Sequence, residues 1–199
     1  PTVAVGNRVR VAATVKEFNV GALTNAATAA NPLTELINAA VTVVASGISI
    51  APTVITFPEI NEGDLERYEG MLVRIEGPLT VGQNYFLGRF GQLTVSAGGR
   101  LEKPTNRYPA GSIDAIAMAE DNARRRILLD DGTSLQNPNP TPYLAADNTV
   151  RAGDTIDGIT GVIDYGLATS SNTGLGDFRI HPTAAPTFTR SNPRTTAPA

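Results

Sequence analysis

The sequence predicts a mostly β protein: an OB-like Greek-key barrel with one helix, preceded by part of a second β module. Short runs of alternating aliphatic residues indicate strands, and 19 glycines and 14 prolines among 199 residues separate these runs. One segment alone combines a helix cap with apolar residues at helical spacing. Chains of many short strands with Gly/Pro-rich turns fold as barrels or sandwiches, so a β-sandwich is the alternative.

Residues 1–50 are expected to form the closing half of a β module. Val9–Val15 and Val41–Val44 are rich in β-branched residues, which indicates strands. Asn31–Ile37 is predicted to be a short helical turn, because Pro32 stands where a first helical turn tolerates proline. Residues 51–64 are then a Pro-rich connector, since proline favours an extended backbone without pairing.

Residues 65–190 are expected to form the barrel, and residues 191–199 a Pro/Thr-rich linker. Met71, Val73 and Ile75 alternate with polar residues, as in a half-buried strand. Gly77-Pro78 should bend this strand before it resumes. Later strands are predicted at 92–96, 127–129, 155–165 and 178–180.

The helix is predicted to begin after Ser112, a favoured N-cap residue. The apolar residues after this cap recur every three or four positions and should face the core. The residues at this spacing are Ile113, Ile116, Ala119 or Glu120, Ala123 and Ile127. Arg124–Arg126 closes the helix, where cations suit its dipole. A bent first strand with one helix favours the oligonucleotide/oligosaccharide-binding (OB) barrel, in which the helix would close the barrel bottom and loops beside strands two and three bind ligand.

Two segments of the chain share one sequence pattern, called the sequence echo below, and this supports two related β modules. The stretch from Gly6-Asn7 to Phe18 aligns without a gap on the stretch from Gly153-Asp154 to Tyr165. Each copy reads as a turn, an aliphatic strand, an acidic residue and an aromatic residue. The first copy is expected to belong to a module whose beginning the chain lacks.

Composition argues against a catalytic role for this chain. It has no cysteine, which excludes disulfides, Cys-ligated zinc, iron–sulfur clusters and thiol nucleophiles. Its one histidine, His181, cannot supply a two-His metal site, and any Ser-His-Asp triad would have to include it. We expect His181 to be a structural hydrogen-bonding residue at a strand end, and the chain to be a binding or scaffolding module rather than an enzyme.

The charge pattern permits local phosphate recognition without bulk coating of nucleic acid. The net charge is −3, which disfavours a polycation that coats a backbone. Of the 16 basic residues, 14 are arginines, the residue suited to bidentate phosphate contacts, although a GC-rich genome would give the same bias. The sequence contains no run of 18 or more uncharged apolar residues, the length that indicates a membrane-spanning helix.

The strongest binding candidate is the segment Tyr85–Gly91, where aromatic residues alternate with an arginine, as in grooves that stack single-stranded bases. The candidate nucleic-acid-binding residues are Arg74, Tyr85, Phe86, Arg89, Phe90 and Arg100. The alternative is that these rings belong to the core of a chain with few aromatic residues. Two acidic stretches are not expected to bind nucleic acid. Asp130-Asp131-Gly132 is expected to be a turn. A solvated face or weak cation site is expected from the other stretch, which contains Glu59, Glu62, Asp64, Glu66 and Glu69.

Several segments resemble the region ahead of the catalytic domain in large secreted bacterial nucleases of the endonuclease/exonuclease/phosphatase superfamily. They are Leu65–Val73, Asn84–Gly91, Gly98–Leu101, Lys103–Thr105, Arg125–Gly132, Asn148–Asp154 and Phe178–Thr183. Val5–Gly47 resembles the closing half of the preceding OB-like module, and Asn192-Pro193-Arg194 resembles the entry into the nuclease domain.

The resemblance implies an extracellular accessory module that binds or positions DNA, single-stranded or duplex, for a downstream nuclease domain of the same chain. A divalent metal, Mg or Ca, would belong to that catalytic domain, and no cofactor is expected in this chain. Two other functions stay open at this point. The module could be a spacer that docks on the nuclease domain without binding DNA, or a polysaccharide- or surface-binding module, as the OB architecture allows.

Overall fold

The computed structural model describes residues 3–167, 175–191 and 193. Two compact units make up the chain: Pro1–Pro52 with Tyr165–Gly176, and Thr53–Asp164 with Asp177–Ala199. Strands outnumber helices throughout, so the mostly β class is confirmed. In the described part of the chain, no helix has the length and apolar character needed to cross a membrane. Most of the proposed linker 191–199, including Asn192 and Arg194, lies outside the described residues.

The first unit contains an antiparallel pair of long strands, β1 (Arg8–Phe18) and β2 (Leu33–Ala45), with the short helix α1 (Ala26–Ala29) between them. The predicted helical turn at Asn31–Ile37 is wrong, because Leu33–Ile37 opens β2 and pairs with the end of β1. Leu, Thr and Ile in this stretch gain cross-strand partners, and that gain outweighs the local signal of Pro32.

The β1–β2 pair carries aliphatic side chains that it does not bury by itself. Val9 lies opposite Val43 and Val11 opposite Val41; after an irregularity in both strands, Val15 lies opposite Leu36. Asn38 has a φ of 55°, a left-handed conformation that asparagine tolerates, at this irregularity. No side chain of β1 or β2 is buried.

The same turn opens both copies of the sequence echo. In the first copy, Ala4 N donates to Asn7 Oδ1 (2.8 Å) and Asn7 N donates to Ala4 O (3.0 Å). In the second, Arg151 N donates to Asp154 Oδ2 (2.8 Å) and Asp154 N donates to Arg151 O (2.9 Å). The glycine before each Asn or Asp has a positive φ. The two segments therefore share local structure as well as sequence pattern.

The second unit contains nearly all of an eight-stranded sheet. Its strands are β3 (Thr53–Ile55), β4 (Leu72–Ile75), β5 (Leu79–Gln83), β6 (Leu93–Ala97), β7 (Arg126–Leu129), β8 (Thr155–Ile156), β9 (Ile159–Leu167) and β10 (Gly176–Pro182). They lie in the order β3-β4-β9-β10-β7-β6-β5-β8. The β3–β4 and β7–β10 pairs are parallel, and the β4–β9, β5–β6, β5–β8 and β6–β7 pairs are antiparallel.

This sheet curls, in a manner consistent with a β barrel. β4 and β5 are consecutive in the chain but lie near opposite ends of the strand order, and so do β8 and β9. β4 pairs with β9 and β5 pairs with β8, so the bend between β4 and β5 lies beside the bend between β8 and β9. At the first bend, a Cβ on Gly77 would lie 2.5 Å from the backbone nitrogen of Gly158 at the second. Only glycine permits this approach.

The concave face of the sheet holds the hydrophobic core. The side chains that are fully buried there come from alternate positions of neighbouring strands, each worth roughly 1.5–3 kcal/mol of transfer free energy. They include Val73, Ile75, Leu79, Val81, Leu93, Val95, Ile127, Leu129, Ile163 and Ile180.

The proposed connector 51–64 contributes to the sheet, contrary to the sequence interpretation. Thr53, Val54 and Ile55 pair in parallel with Val73, Arg74 and Ile75, as an edge strand. Edge strands are where flanking prolines are tolerated, which explains why Pro52 and Pro58 do not prevent this pairing.

Two helices lie between strands of the second unit: α2 (Leu87–Phe90) and α3 (Ile113–Ala123). Ser112 caps α3 as predicted, since its Oγ accepts a hydrogen bond from Ala115 N (3.2 Å). Ile127 is fully buried in β7, but Ile113 and Ile116 in the helix itself are 85% and 51% exposed, so the core face predicted for the helix is wrong. The helix is held instead through its other side, where Asn122 Nδ2 donates to Glu102 O (2.9 Å).

The three arginines after α3 form ion pairs. Arg124 and Arg125 pair with Asp121, and Arg126 pairs with Asp177. These contacts leave the three guanidinium groups engaged with carboxylates of the chain itself.

Candidate nucleic-acid interface

The β5–β6 connection brings together four of the six predicted binding residues. The ring centroids of Tyr85 and Phe86 are 4.9 Å apart with an interplanar angle of 78°, and those of Phe86 and Phe90 are 5.7 Å apart. The Arg89 guanidinium carbon lies 5.2 Å from the centroid of the Phe90 ring. Tyr85, Phe86, Arg89 and Phe90 are called the aromatic cluster below.

The rings of the aromatic cluster are not buried in the core, which was the alternative interpretation of the sequence. Tyr85 is 78% exposed, and Phe86 and Phe90 are half-buried. Arg89 is exposed, and its Nη2 reaches Gln136 Oε1 at 3.4 Å. The cluster thus presents one exposed ring, backed by two others and flanked by a cation, which is the composition of a base-stacking platform.

A buried leucine and a left-handed glycine fix the cluster on the barrel. Leu87 is 5% exposed and anchors α2. Gly91 ends the helix at a φ of 68°, and its N–H donates to Leu87 O (3.0 Å). The Asp131 carboxylate packs where a Cβ on Gly91 would stand. Gly91 is therefore required both by its backbone angle and by this close contact.

Polar contacts join the aromatic cluster to the segment after β7. Gln92 is 5% exposed, and its Nε2 donates to Asp130 Oδ2 (2.6 Å). Gly132 N donates to the other carboxylate oxygen of Asp130 (2.9 Å), which closes the predicted turn. Asn137 N donates to Arg89 O (2.8 Å). The segment after β7 therefore holds both the C-terminal end of α2 and the residue that follows it.

His181 lies between two carboxylates. Its Nε2 is 3.1 Å from Asp164 Oδ2 and its Nδ1 is 3.3 Å from Asp130 Oδ1. Hydrogen bonds to Asp130 and then Asp164 raise the pKa of His181 to about 9. Burial alone would raise the pKa of Asp130, but hydrogen bonds from His181 and Gln92 and the charge of Arg179 hold it below its usual value. Imidazolium and guanidinium thus balance the two carboxylates.

The ring of His181 is held within an ion-pair network. Both ring nitrogens face carboxylates, and Arg179 forms ion pairs with Asp130 and Asp164. Within the described ranges, no group of three or more His, Asp or Glu side chains is arranged to hold a metal ion.

The other two predicted binding residues lie apart from the aromatic cluster. Arg74 projects from β4, and its Nη2 donates to Asp157 O (2.9 Å) at the bend before β9. Arg100 is exposed in the turn after β6. Among the described residues, no ring or hydrogen-bond contact joins either arginine to the cluster.

A groove beside the cluster has no counterpart in the sequence interpretation. Its volume is about 470 Å³. Asn84 Nδ2 donates to Val150 O (3.0 Å), which ties the two sides of the groove together. The lining residues are Asn84, Leu87, Leu144, Asn148, Thr149, Val150 and Arg151.

A family model matches residues 64–192, and its description is "Domain of unknown function (DUF8508)". The chain belongs to this family. No curated protein and no solved structure matches the chain. The DUF8508 match spans β4 to β10 and so contains the aromatic cluster, the groove and His181.

Within the DUF8508 region, sequence reasoning missed the contribution of Gln92, Asp130, Asp164 and Arg179. One signal was present: Arg179 and His181 flank the aliphatic Ile180, which places both on the outward face of a strand. The partners Asp130 and Asp164 come from two other strands, and one sequence does not reveal that pairing.

The acidic stretch of residues 59–69, which straddles the start of the DUF8508 region, is not uniformly solvated, which corrects the sequence interpretation. Glu59 is 8% exposed, and its Oε2 accepts a hydrogen bond from Leu65 N (3.0 Å). Burial raises the pKa of Glu59 to about 7. The residue serves the turn that begins at Asp64, while Glu62 and Glu66 remain exposed.

Proposed function

We propose that this chain is a noncatalytic accessory module that binds single-stranded DNA through the aromatic cluster. The observation that carries the proposal is that Tyr85 is 78% exposed in the same aromatic cluster as the exposed side chain of Arg89. Stacking of a base on an aromatic ring contributes about 1–3 kcal/mol and tolerates any base. Arg89 adds a phosphate contact that salt weakens.

An OB-like barrel is the fold that this proposal requires, and the strand order supports it. If β4 with β5 is taken as one bent strand and β8 with β9 as another, and the edge strand β3 is set aside, five strands remain in a closed order: first, second, third, fifth, fourth, first. OB folds bind ligands with the face of strands two and three and with the loop between strands one and two. The aromatic cluster occupies that loop.

The wider setting in this proposal is a secreted bacterial nuclease. The resemblance across Leu65–Val73, Asn84–Gly91 and the later segments supports it. In this setting the module holds a DNA strand for a downstream domain of the same chain, where a divalent metal, Mg or Ca, assists phosphodiester hydrolysis. The charge of Arg89 and the ring of Tyr85 would orient the strand outside the cell without taking part in chemistry.

The test is binding of fluorescent single-stranded oligonucleotides at low and moderate salt, measured by anisotropy. Tyr85→Ala should weaken binding roughly 5- to 150-fold, which corresponds to the stacking energy of one base. Arg89→Ala should weaken binding and reduce the slope of log affinity against log salt by about one. Tyr108→Ala and Arg107→Ala are matched controls, because Tyr108 is outside the cluster and Arg107 is paired with Glu102. Absence of binding by the wild-type chain at low salt overturns the proposal.

A second candidate function is docking on the nuclease domain without DNA binding. The exposure of Ile113 and Ile116 on one side of α3 favours it, because large apolar side chains on a capped helix suit a protein contact. Under this function Ile113→Ser and Ile116→Ser would weaken association with a separately produced nuclease domain. Tyr85→Ala would leave that association unchanged.

A further inference from the structure

The groove beside the aromatic cluster combines an apolar floor with polar groups at its rim. Leu87 and Val150 are buried and form part of the floor. Asn84, Asn148 and Arg151 supply amide and guanidinium groups. A concave, mostly apolar surface with a few hydrogen-bonding groups is the usual composition of a small-ligand site.

Two of these polar side chains have no partner within the described part of the chain. Asn148 is held at a φ of 56°, and its backbone N–H donates to Ala145 O (2.8 Å), but its side-chain amide makes no hydrogen bond there. The Arg151 guanidinium forms no ion pair there either, although its backbone N–H donates to Asp154. Both side chains are available to a ligand.

The carboxylates of Asp147 and Asp154, close to Arg151 in the sequence, form ion pairs with another arginine. Arg190 pairs with Asp154 through Nη1 (2.7 Å) and with Asp147 through Nη2. Arg190 Nη2 also donates to Thr149 O. This leaves Arg151 as the groove's available cation, suited to an anionic group such as phosphate.

The groove is continuous with the aromatic cluster. Asn84 lines the groove and precedes Tyr85 directly, and consecutive Cα atoms lie about 3.8 Å apart. Leu87 lies both in the groove floor and in α2, which carries Arg89 and Phe90. A single strand whose base stacks on Tyr85 would therefore bring its next nucleotide to the groove.

We infer that the groove binds one nucleobase of this strand, with Asn148 contacting the base edge and Arg151 the adjoining phosphate. The inference rests on the proposed DNA-binding function and adds base selectivity to it. An amide side chain offers a donor and an acceptor, so it distinguishes bases by their edges, whereas stacking on Tyr85 does not. The Arg151 contact is independent of the base.

The experiment compares four homopolymeric DNA oligonucleotides of equal length for binding to the full chain at one salt concentration. We expect the wild-type chain to favour one base over the least favoured by about fivefold or more. Asn148→Gly should abolish this preference, because glycine accepts the positive φ and removes only the amide. Arg151→Ala should weaken binding to all four oligonucleotides by a similar factor.

Further variants separate loss of fold from loss of contact. Asn148→Asp keeps the left-handed conformation and the size of the side chain but exchanges an amide donor for a charge, so it should weaken binding to all four oligonucleotides and change their ranking. Asn106→Ala and Arg107→Ala, both exposed and outside the groove, should leave affinity and preference unchanged. Circular dichroism verifies that each variant is folded.

The outcomes distinguish this inference from the proposed function. If the wild-type chain binds all four oligonucleotides equally, and Asn148→Gly and Arg151→Ala bind as it does, the groove inference is overturned while DNA binding through the aromatic cluster stands. If the wild-type chain binds none of them at low salt, the proposed function itself is overturned.

Discussion

Gln92 Nε2 donates a hydrogen bond to Asp130 Oδ2 at 2.6 Å, and both residues are almost fully buried. This contact joins the start of β6 to the end of β7, next to the aromatic cluster. Asp130 also accepts a hydrogen bond from Gly132 N and contacts His181, so one carboxylate links three segments. The position of the stacking residues therefore depends on a buried polar network.

Removal of the amide should destabilise the fold. Gln92→Leu leaves Asp130 Oδ2 without its buried donor, and we expect the free energy of unfolding to fall by about 1–3 kcal/mol. Urea denaturation followed by circular dichroism measures the change. Gln83→Leu, at the exposed end of β5, is the control and should change stability by less than about 0.5 kcal/mol. Equal effects of the two substitutions would contradict the role given to Gln92.

Gly91 should not tolerate a side chain, whereas Gly88 should. Gly91→Ala places a Cβ against the Asp131 carboxylate at a positive φ, so it should destabilise the chain by more than about 1 kcal/mol. Gly88→Ala adds a methyl group to α2 where nothing lies within 4 Å, and it should be neutral or stabilising by up to about 1 kcal/mol. Thermal unfolding of the two variants measures these changes in stability. A Gly91→Ala chain as stable as the wild type would contradict the constraint assigned to Gly91.

Glu59 should make the fold less stable as the pH rises from about 4.5 to about 7. In this window the folded state keeps the proton of Glu59, because burial raises its pKa to about 7, while the unfolded state releases it. The folded state then binds more protons, and the contribution falls by at most about 1.4 kcal/mol per pH unit.

Glu59→Gln should remove this part of the pH dependence and keep an oxygen that accepts the Leu65 N–H. Denaturant titrations at several pH values measure it. Glu76→Gln, an exposed position at the bend after β4, is the control and should keep the wild-type dependence. A wild-type slope retained in Glu59→Gln would contradict the assignment.

His181 should stabilise the fold at neutral pH and lose this effect in alkaline solution. Its pKa is raised from 6.5 to about 9, so its stabilising contribution is fully present below pH 6.5. Between these values the unfolded state loses the proton first, and stability falls as the pH rises. His181→Gln should flatten the dependence between pH 6.5 and 9, and NMR titration of the ring should give the raised pKa directly. A ring that titrates near 6.5 would refute the ion-pair network described above.

The strands were predictable because their signal is local. Alternation at Met71, Val73 and Ile75, and the glycine and proline at the bend, identify β4 and β5 without any partner. The β2 start at Leu33–Ile37 was not predictable in the same way, because its pairing with β1 outweighs the local turn signal. The inward face of α3 failed for a related reason: helical spacing shows which residues share a face, but not whether that face meets a core.

In the candidate site, too, the residues that are close in sequence were predictable and those from distant segments were not. The aromatic cluster was predictable because Tyr85, Phe86, Arg89 and Phe90 are close in sequence and the helix α2 keeps them close in space. Arg74 and Arg100 were grouped with them by residue type, and tertiary structure separates them. The groove joins residues from two distant segments, and no local pattern predicts such a junction.

The two coincident bends of the second unit constrain how the length of this chain can change. Gly77 and Gly158 approach each other where β4 passes into β5 and β8 into β9. An insertion at one bend would move half of one strand out of step with its neighbour and turn core side chains outward. Members of the family that gain or lose a residue between 76 and 78 should therefore show a matching change near 157–158, so the two sites should vary in length together.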